Sequence, residues 1–496
     1  MWFLLIPAVI VLFLIIICIR ALMFNPRTLV GSTESMTAEV KEEDIDKVNT
    51  NVNKVNTDVD LERAIEHLQA MIKIETVWDW DNDPTGKTFE EFRALLPQLY
   101  PLLFKNCSYE QIGRSGMLFH WKGKSAEKPT VYMAHYDVVP ADDELWKYPP
   151  YSAKRENGEV WGRGTLDTKG TLCAALEAAE TLLASDFSPE NDIYFAFGGD
   201  EETDSTDMPK IVETLKSRGI KPALVLDEGG AVVENIFPGV KGQTALIGTG
   251  EKGMVNVSFS VSGMGGHASA PPVKTPVGAL ARAVAKVEDN PFEPSICEPV
   301  THMFDTLGRN STFAFKLIFA NLWCFKGLFT MICKKSGGEL NALVRTTCAF
   351  TQMQGSSARN VLPPSASVTA NIRIMSPNTI DTVIEGLKKR VNNDTIEVKQ
   401  LNGHNPSSFS DMSSEGYKRV TRAVASTWPK AIISPYLMIA ASDSRHFCQI
   451  CDVVLRFSAM ALSSDDRKRI HGNDERVRES QLKETLIFYQ KMLHSS

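Results

Sequence analysis

The chain opens on an unbroken apolar run, MWFLLIPAVIVLFLIIICIRALMF, with no charge before Arg20. About 20 apolar residues suffice to cross a bilayer. The run lacks the basic lead and small-x-small site of a cleaved signal peptide. It therefore predicts a single-pass N-terminal transmembrane helix, an uncleaved anchor over residues 1–24. Residues 25–60 turn polar and carry the near-repeat KVNTNVNKVNTDVD, as expected of a stalk or linker. From Leu61 the spacing becomes helical, with Leu61, Ile65, Leu68, Met71 and Ile72 on one face. Strand-like and helix-like segments then alternate: PTVYMAHYDVV, TKGTLCAALEAAETLLAS, NDIYFAFGGDEE, DMPKIVETLKSRG and PALVLDEGG. This alternation predicts an α/β domain around a mostly parallel central sheet.

Near residue 250 the period falls to two. KGMVNVSFSVSG and SASVTANIRIMS alternate apolar and polar strictly, as strands with one wet face do. Each precedes a helical segment, TPVGALARAVAKVED or TIDTVIEGLKKRVNN, and TIEVKQL adds a closing strand. Two such units predict a small α+β, ferredoxin-like domain at 250–402, inserted into a larger domain made of 61–249 and 403–496. The stretch FAFKLIFANLWCFKGLFTMI at 313–332 is nearly apolar enough for a second span. Lys316 and Lys326 interrupt it, which predicts helices packed inside the insert or an exposed interface.

Composition adds a few bounds. At 496 residues the chain exceeds one ordinary core, in keeping with two domains. A net charge of −7, with no basic block, leaves no footprint for nucleic acid. The C-Q-I-C of Cys448 and Cys451 has no second pair, so no structural zinc knuckle is expected among the nine cysteines. Arg20 and Arg27 would hold the C-terminal side of the span in the cytoplasm. The sequons at Asn106, Asn256, Asn310 and Asn393 fit a lumenal catalytic part instead, so the side of the membrane stays open.

Chemistry concentrates where predicted strands end. His135 and Asp137 are two residues apart and so share a side at the end of an apolar strand. Asp167 sits in the Gly-punctuated turn GRGTLDTKG, FAFGGDEE ends in Asp200, Glu201 and Glu202, and LVLDEGG ends in Asp227 and Glu228. His471 lies in the polar turn KRIHGNDERV. Each has an ordinary structural use: Asp167 as a helix cap, the acidic run as a solvated loop, His471 as a surface residue. Together they bring carboxylates to one sheet edge, where mutual repulsion is costly without a cation. Mixed imidazole and oxygen donors suit a borderline divalent metal such as zinc.

The segments MAHYDVVP, WGRGTLDTKG, GGDEE, LDEGG, SGMGGHASAPP, NVLPPSASVTANIRI and RIHGNDERV, in this order, resemble the M20 family of zinc metallopeptidases, and within it the carboxypeptidase S and N-acyl-amino-acid hydrolase branch. The resemblance runs from about residue 60 to the C-terminus. It implies a zinc-peptidase-like catalytic domain holding two zinc ions, with cobalt or manganese as substitutes. His135, Asp167, Glu202, Glu228 and His471 would be the ligands, Asp167 bridging both ions, and Asp137 would orient His135. Glu228 is favoured over Asp227 because the acid directly before the Gly aligns with the family ligand. Glu201 would be the general base for attack by water on an amide. The insert would be a lid and dimerisation domain, making a homodimer in which His267 polarises the scissile carbonyl, often of the partner's site. Asn360 and Arg373 would contact substrate, Arg373 forking onto a terminal carboxylate, with Arg445 a further candidate. The implied substrates are short peptides with a free C-terminus or N-acyl amino acids. A dipeptidase or aminopeptidase of the same clan, or a non-catalytic binding relative, is the alternative. The chain departs from the family in ASDSRHF, where small glycines are usual, and in the bulky segment 300–335.

Overall fold

A computed structural model of the chain describes residues 2–26, 59–79, 85–203, 205–237 and 239–496. The expected stalk lies almost wholly outside the described residues. Eight strands form the central sheet, in the spatial order Ser108–Ile112, Gly116–Trp121, Asn191–Gly198, Ser125–His135, Leu224–Glu234, Val454–Leu462, Gln243–Glu251 and Ile432–Met438. The four middle strands, from Asn191–Gly198 to Val454–Leu462, run parallel. Their C-terminal halves are buried on both faces, as parallel strands covered by helices must be.

The sheet is mixed, not mostly parallel. Ser108–Ile112 and Gly116–Trp121 form an antiparallel hairpin that also pairs antiparallel with Asn191–Gly198. Leu224–Glu234 likewise turns back antiparallel onto Gln243–Glu251. Neither return has a crossover helix, and a short connection permits only the antiparallel direction. Strands Ser108–Ile112, Gly116–Trp121 and Gln243–Glu251 fell outside the strand–helix alternation of the sequence.

Helix Lys169–Ala184 is buried along most of its length. It packs among the sheet, Leu61–Ile72 and Glu479–His494, with Leu68, Leu172, Leu176, Phe195 and Tyr489 in one core. Buried Glu180 accepts hydrogen bonds from the Leu102 and Leu103 amides at 2.9 and 2.8 Å, satisfying the otherwise unpaired N–H groups that open helix Pro101–Asn106.

A second, four-stranded antiparallel sheet has the order Thr347–Gln354, Ser365–Ile374, Gly253–Ser262, Glu397–His404. Its two middle strands, Ser365–Ile374 and Gly253–Ser262, alternate buried and half-exposed residues, and the buried set packs on helices Pro276–Asp289 and Ile380–Val391 in a core of its own. Segment 300–335 is not inside that core. Helix Glu298–Arg309 buries Val300, Met303, Phe304 and Leu307 on one face. With Phe319 and Phe329 these side chains join Phe237 and Leu437 of the central-sheet region, and Phe24 just beyond the N-terminal helix. Its buried apolar residues thus belong to a third cluster, shared with the larger sheet and the N-terminus.

Candidate metal centre

The parallel strands deliver their polar ends to one edge of the sheet. Strand Ser125–His135 stops at His135, which is 2% exposed. The Thr168 hydroxyl accepts from the His135 amide at 3.0 Å and donates to the His135 carbonyl at 2.9 Å, joining the strand end to the next loop. His135 Nδ1 lies 3.0 Å from the Asp137 carbonyl oxygen and 3.3 Å from Asp137 Oδ1. The other Asp137 oxygen accepts from the Glu202 amide at 2.9 Å, so one carboxylate ties the first loop to the third.

His135 Nε2 is left facing two acids, 3.0 Å from Asp167 Oδ1 and 3.5 Å from Glu228 Oε1. On the far side, His471 Nε2 lies 3.1 Å from Asp167 Oδ2 and 2.9 Å from Glu202 Oε1. Two triplets result, His135–Asp167–Glu228 and Asp167–Glu202–His471, each with donor atoms within 4.8 Å of one another. Asp167 belongs to both. It does not cap the following helix, whose N-cap residue is Thr168. Of the adjacent acids in the fourth segment, Glu228 joins the cluster, while Asp227 accepts from the Ser444 amide at 3.1 Å.

The electrostatics are those of crowded carboxylates in a buried place. Burial, reinforced by the Asp167 charge and opposed by His135, pushes the Glu228 carboxyl up to about 8. Burial also raises Glu201 well above the carboxylate range, with Glu228, Asp443 and Glu202 adding to it against His135. For Asp167 burial acts in the same direction, but the two imidazoles win and hold it below its usual value. Hydrogen bonds to Asp167 and Glu202 lift His471 to about 10. Burial alone would lower His135; Glu228, Asp137 and Asp167 reverse this and hold it well above its usual value. Among the described residues, the ion pairs of Asp167, Glu202 and Glu228 are all to imidazoles, none to Lys or Arg. Imidazole nitrogens and carboxylate oxygens converging without a fixed cation fit a divalent metal.

Glu201 belongs to neither triplet, but its carboxyl feels the charges of His135 and Glu228 from one and of Glu202 from the other. Its neighbour Asp200 is no solvated loop residue: it is 4% exposed and accepts from the Thr206 amide and hydroxyl at 2.6 and 2.7 Å. Sequence reasoning missed Glu475. Fully buried, it pairs with Arg163 at 2.6 Å and accepts from the amides of Gly164, Leu166 and Asp167 at 3.1, 2.7 and 3.3 Å. It therefore holds the loop that carries Asp167. An acid four residues after His471 was the only signal, and HGNDE reads first as a polar turn.

The remaining candidates lie outside the cluster. His267 is exposed on a two-stranded ribbon, paired with Val361 and 2.7 Å from Ser269 Oγ. Asn360 is exposed beside it, its carbonyl accepting from the Ala268 amide at 3.0 Å. Arg373 leaves the four-stranded sheet half-buried, with Nε donating to Asn371 Oδ1 at 3.2 Å. Arg445 Nη1 donates to the Ser442 carbonyl at 2.5 Å. The two arginines share a neighbourhood: His404 is held below its usual pKa by burial, and both guanidinium charges add to that effect.

A family model, Peptidase family M20/M25/M40, matches residues 131–495. The chain is 33% identical over 441 residues to the N-fatty-acyl-amino acid synthase/hydrolase PM20D1 of Xenopus tropicalis, covering 88% of this chain and 86% of that protein. It is 32% identical over 414 residues to the probable carboxypeptidase S-like 2 of Dictyostelium discoideum, covering 82% and 79%. The fold matches an M20 family metallo-carboxypeptidase from Sulfolobus solfataricus with a TM-score of 0.64 at 20% identity, covering 87% and 98%. Human carnosine dipeptidase 1 matches with a TM-score of 0.60 at 15% identity, covering 88% and 99%. The chain belongs to peptidase family M20/M25/M40 and is a hydrolytic enzyme of the M20 type, a class that uses divalent metal ions, typically zinc.

Proposed function

We propose that this chain hydrolyses the amide bond of N-acyl amino acids, or of short peptides with a free C-terminus, at a centre holding two zinc ions. The observation that carries this reading is the pair of three-donor clusters sharing Asp167, with Glu201 in neither yet within reach of the charges of both. His135, Glu228 and Asp167 would hold one ion, and Asp167, Glu202 and His471 the other. When bound, zinc supplies Lewis acidity that polarises a carbonyl and makes a water proton easier to remove. Glu201 takes a proton from the attacking water and returns it to the leaving nitrogen. Asp137 fixes the tautomer and ring orientation of His135 by standing at Nδ1. Arg373, with Arg445 nearby, receives the substrate carboxylate, a group that a guanidinium fork matches in shape and charge. His267 and Asn360, on the exposed ribbon, close over the scissile bond in a homodimer.

The acyl side is apolar. A cavity of about 220 Å³ lies against Gly229 and Ile470, the chain neighbours of Glu228 and His471; its wall is mostly apolar, with Leu246, Met303, Leu307 and Leu343, and its two charged residues, Glu339 and Arg467, pair with each other at 3.5 Å. Such a lining favours a hydrocarbon chain over the free α-amine that a dipeptidase or aminopeptidase must bind. Helix Trp2–Met23 anchors the enzyme in a membrane. Turnover of a series of N-acyl amino acids beside free-amine dipeptides, in wild type and Glu201→Gln, tests the reading. Hydrolysis confined to free-amine substrates, or full activity in the variant, would overturn it.

A further inference from the structure

Helices Phe313–Phe319 and Leu322–Ser336 meet in an elbow bent by 108°. Its outer side is apolar and bare: Phe313, Trp323, Leu328, Met331 and Ile332 are 44–64% exposed. Leu328, Met331 and Ile332 follow the three- and four-residue spacing of one helix face. Isolated apolar residues on a surface need no explanation, but a contiguous stripe does. Lys334 and Lys335 close the last turn of the second helix.

The elbow is fastened to helix Trp2–Met23. Ile17 and Ala21 are buried against the protein, whereas the helix is exposed from Ile6 through Ile16. Arg20 is the one charge in that helix. Its guanidinium donates to the Ala320 carbonyl at 3.0 and 3.2 Å and to Asn321 Oδ1 at 3.1 Å, while Asn321 donates to the Ile17 carbonyl at 3.0 Å. A charged side chain within a span is costly unless the protein supplies partners, and the elbow supplies them. Higher up, Trp323 meets Phe13 edge-on, with ring centroids 6.1 Å apart. Phe13 is ten residues before Met23, or about 15 Å along the axis at 1.5 Å per residue. That is about half the ~30 Å of a hydrocarbon core. If the helix lies in lipid, the elbow beside its middle cannot stand in water.

We propose that the elbow 313–336 is embedded in the same leaflet that Trp2–Met23 enters. It forms a second, re-entrant membrane contact that holds the catalytic body on the bilayer. Arg20 and Asn321 are the polar joint between the two elements. This rests on reading Trp2–Met23 as a membrane anchor, and the experiment separates the two claims. The full chain with Cys324→Ser is reconstituted into phosphatidylcholine vesicles, and a nitrobenzoxadiazole label is attached at Leu12→Cys, Met331→Cys or Met353→Cys, an exposed site on the four-stranded sheet. Each is read against the Cys324→Ser chain carried through the same labelling. Brominated acyl chains should quench the labels at 12 and 331 at least twofold and leave 353 unchanged. Quenching at 12 but not 331 would overturn the proposal and leave the anchor standing. An unquenched 331 label with blue-shifted emission would mean that protein, such as a second copy of the chain, covers the face, and would also overturn it. Quenching at 331 but not 12 would remove the anchor and with it the shared insertion. Quenching at neither would sink both.

Discussion

Asp167 divides its two carboxylate oxygens between two imidazoles, Oδ1 at 3.0 Å from His135 Nε2 and Oδ2 at 3.1 Å from His471 Nε2. A single residue common to both clusters leads to a distinct expectation for metal content. Asp167→Ala should lose both ions, whereas His471→Ala should lose chiefly one. Metal per chain, measured by plasma mass spectrometry after dialysis, checks this. Equal stoichiometry in the two variants would contradict a shared ligand.

Glu201→Gln should retain metal and fold while kcat falls about 10²–10⁴-fold, the usual contribution of a positioned general base. KM should change little. Steady-state kinetics beside the metal assay distinguish this from loss of a ligand.

Asp137 touches His135 at the nitrogen turned away from the other donors, and it also holds the Glu202 amide. Asp137→Ala should weaken metal affinity about 10–100-fold, as for other residues that orient a metal-binding histidine. Competition with a chelator of known affinity gives the number.

Glu475 and Arg163 are a fully buried pair, and removing one partner leaves an uncompensated charge. Glu475→Ala should cost about 3–5 kcal/mol in a denaturant melt. It should also lower metal occupancy, because the Asp167 loop loses the acceptor of its amides. A melt unchanged within about 1 kcal/mol, below the range of a broken buried pair, would refute this.

Lys252 sits at the junction of the two sheets, its ammonium donating to the Ala342 and Arg345 carbonyls at 3.0 and 2.9 Å. Burial, with the nearby Arg373 charge, lowers its pKa to about 7. Below pH 7 the lysine is charged in both folded and unfolded chains, and the burial penalty is felt in full. Above it the folded chain sheds the proton while the unfolded chain keeps it up to about 10.4. The unfolded state then binds more protons, so this residue's contribution rises with pH between about 7 and 10. Relative to Lys252→Met, wild type should gain melting temperature across that window. A difference that stays constant from pH 6 to pH 9.5 would sink the assignment.

Local pattern carried much of this protein. The period-two strands Gly253–Ser262 and Ser365–Ile374, the helix Leu61–Ile72 and the strand ending at His135 all follow from spacing that a reader of the chain can see. So does the convergence of His135, Glu202 and Glu228, because parallel strands place their polar ends on one edge whatever lies between them. Asp167 and His471 were visible as polar turn residues, but their places in the cluster came only through resemblance, since no local rule brings a turn from the far end of the chain back to that edge.

What the sequence by itself determined was the periodicity of each element and the chemistry available at its end. Tertiary structure decided direction, partnership and role. The antiparallel returns at Ser108–Trp121 and Leu224–Glu251 made the sheet mixed, because strand direction depends on connection geometry and not on hydrophobic period. Segment 300–335 left the insert for a cluster shared with Phe24 and Leu437, because an apolar face is satisfied by any apolar neighbour that topology brings near. Glu475 became the support of the Asp167 loop. A side chain's partner is fixed only when distant segments are in register, and no window along the chain contains that information.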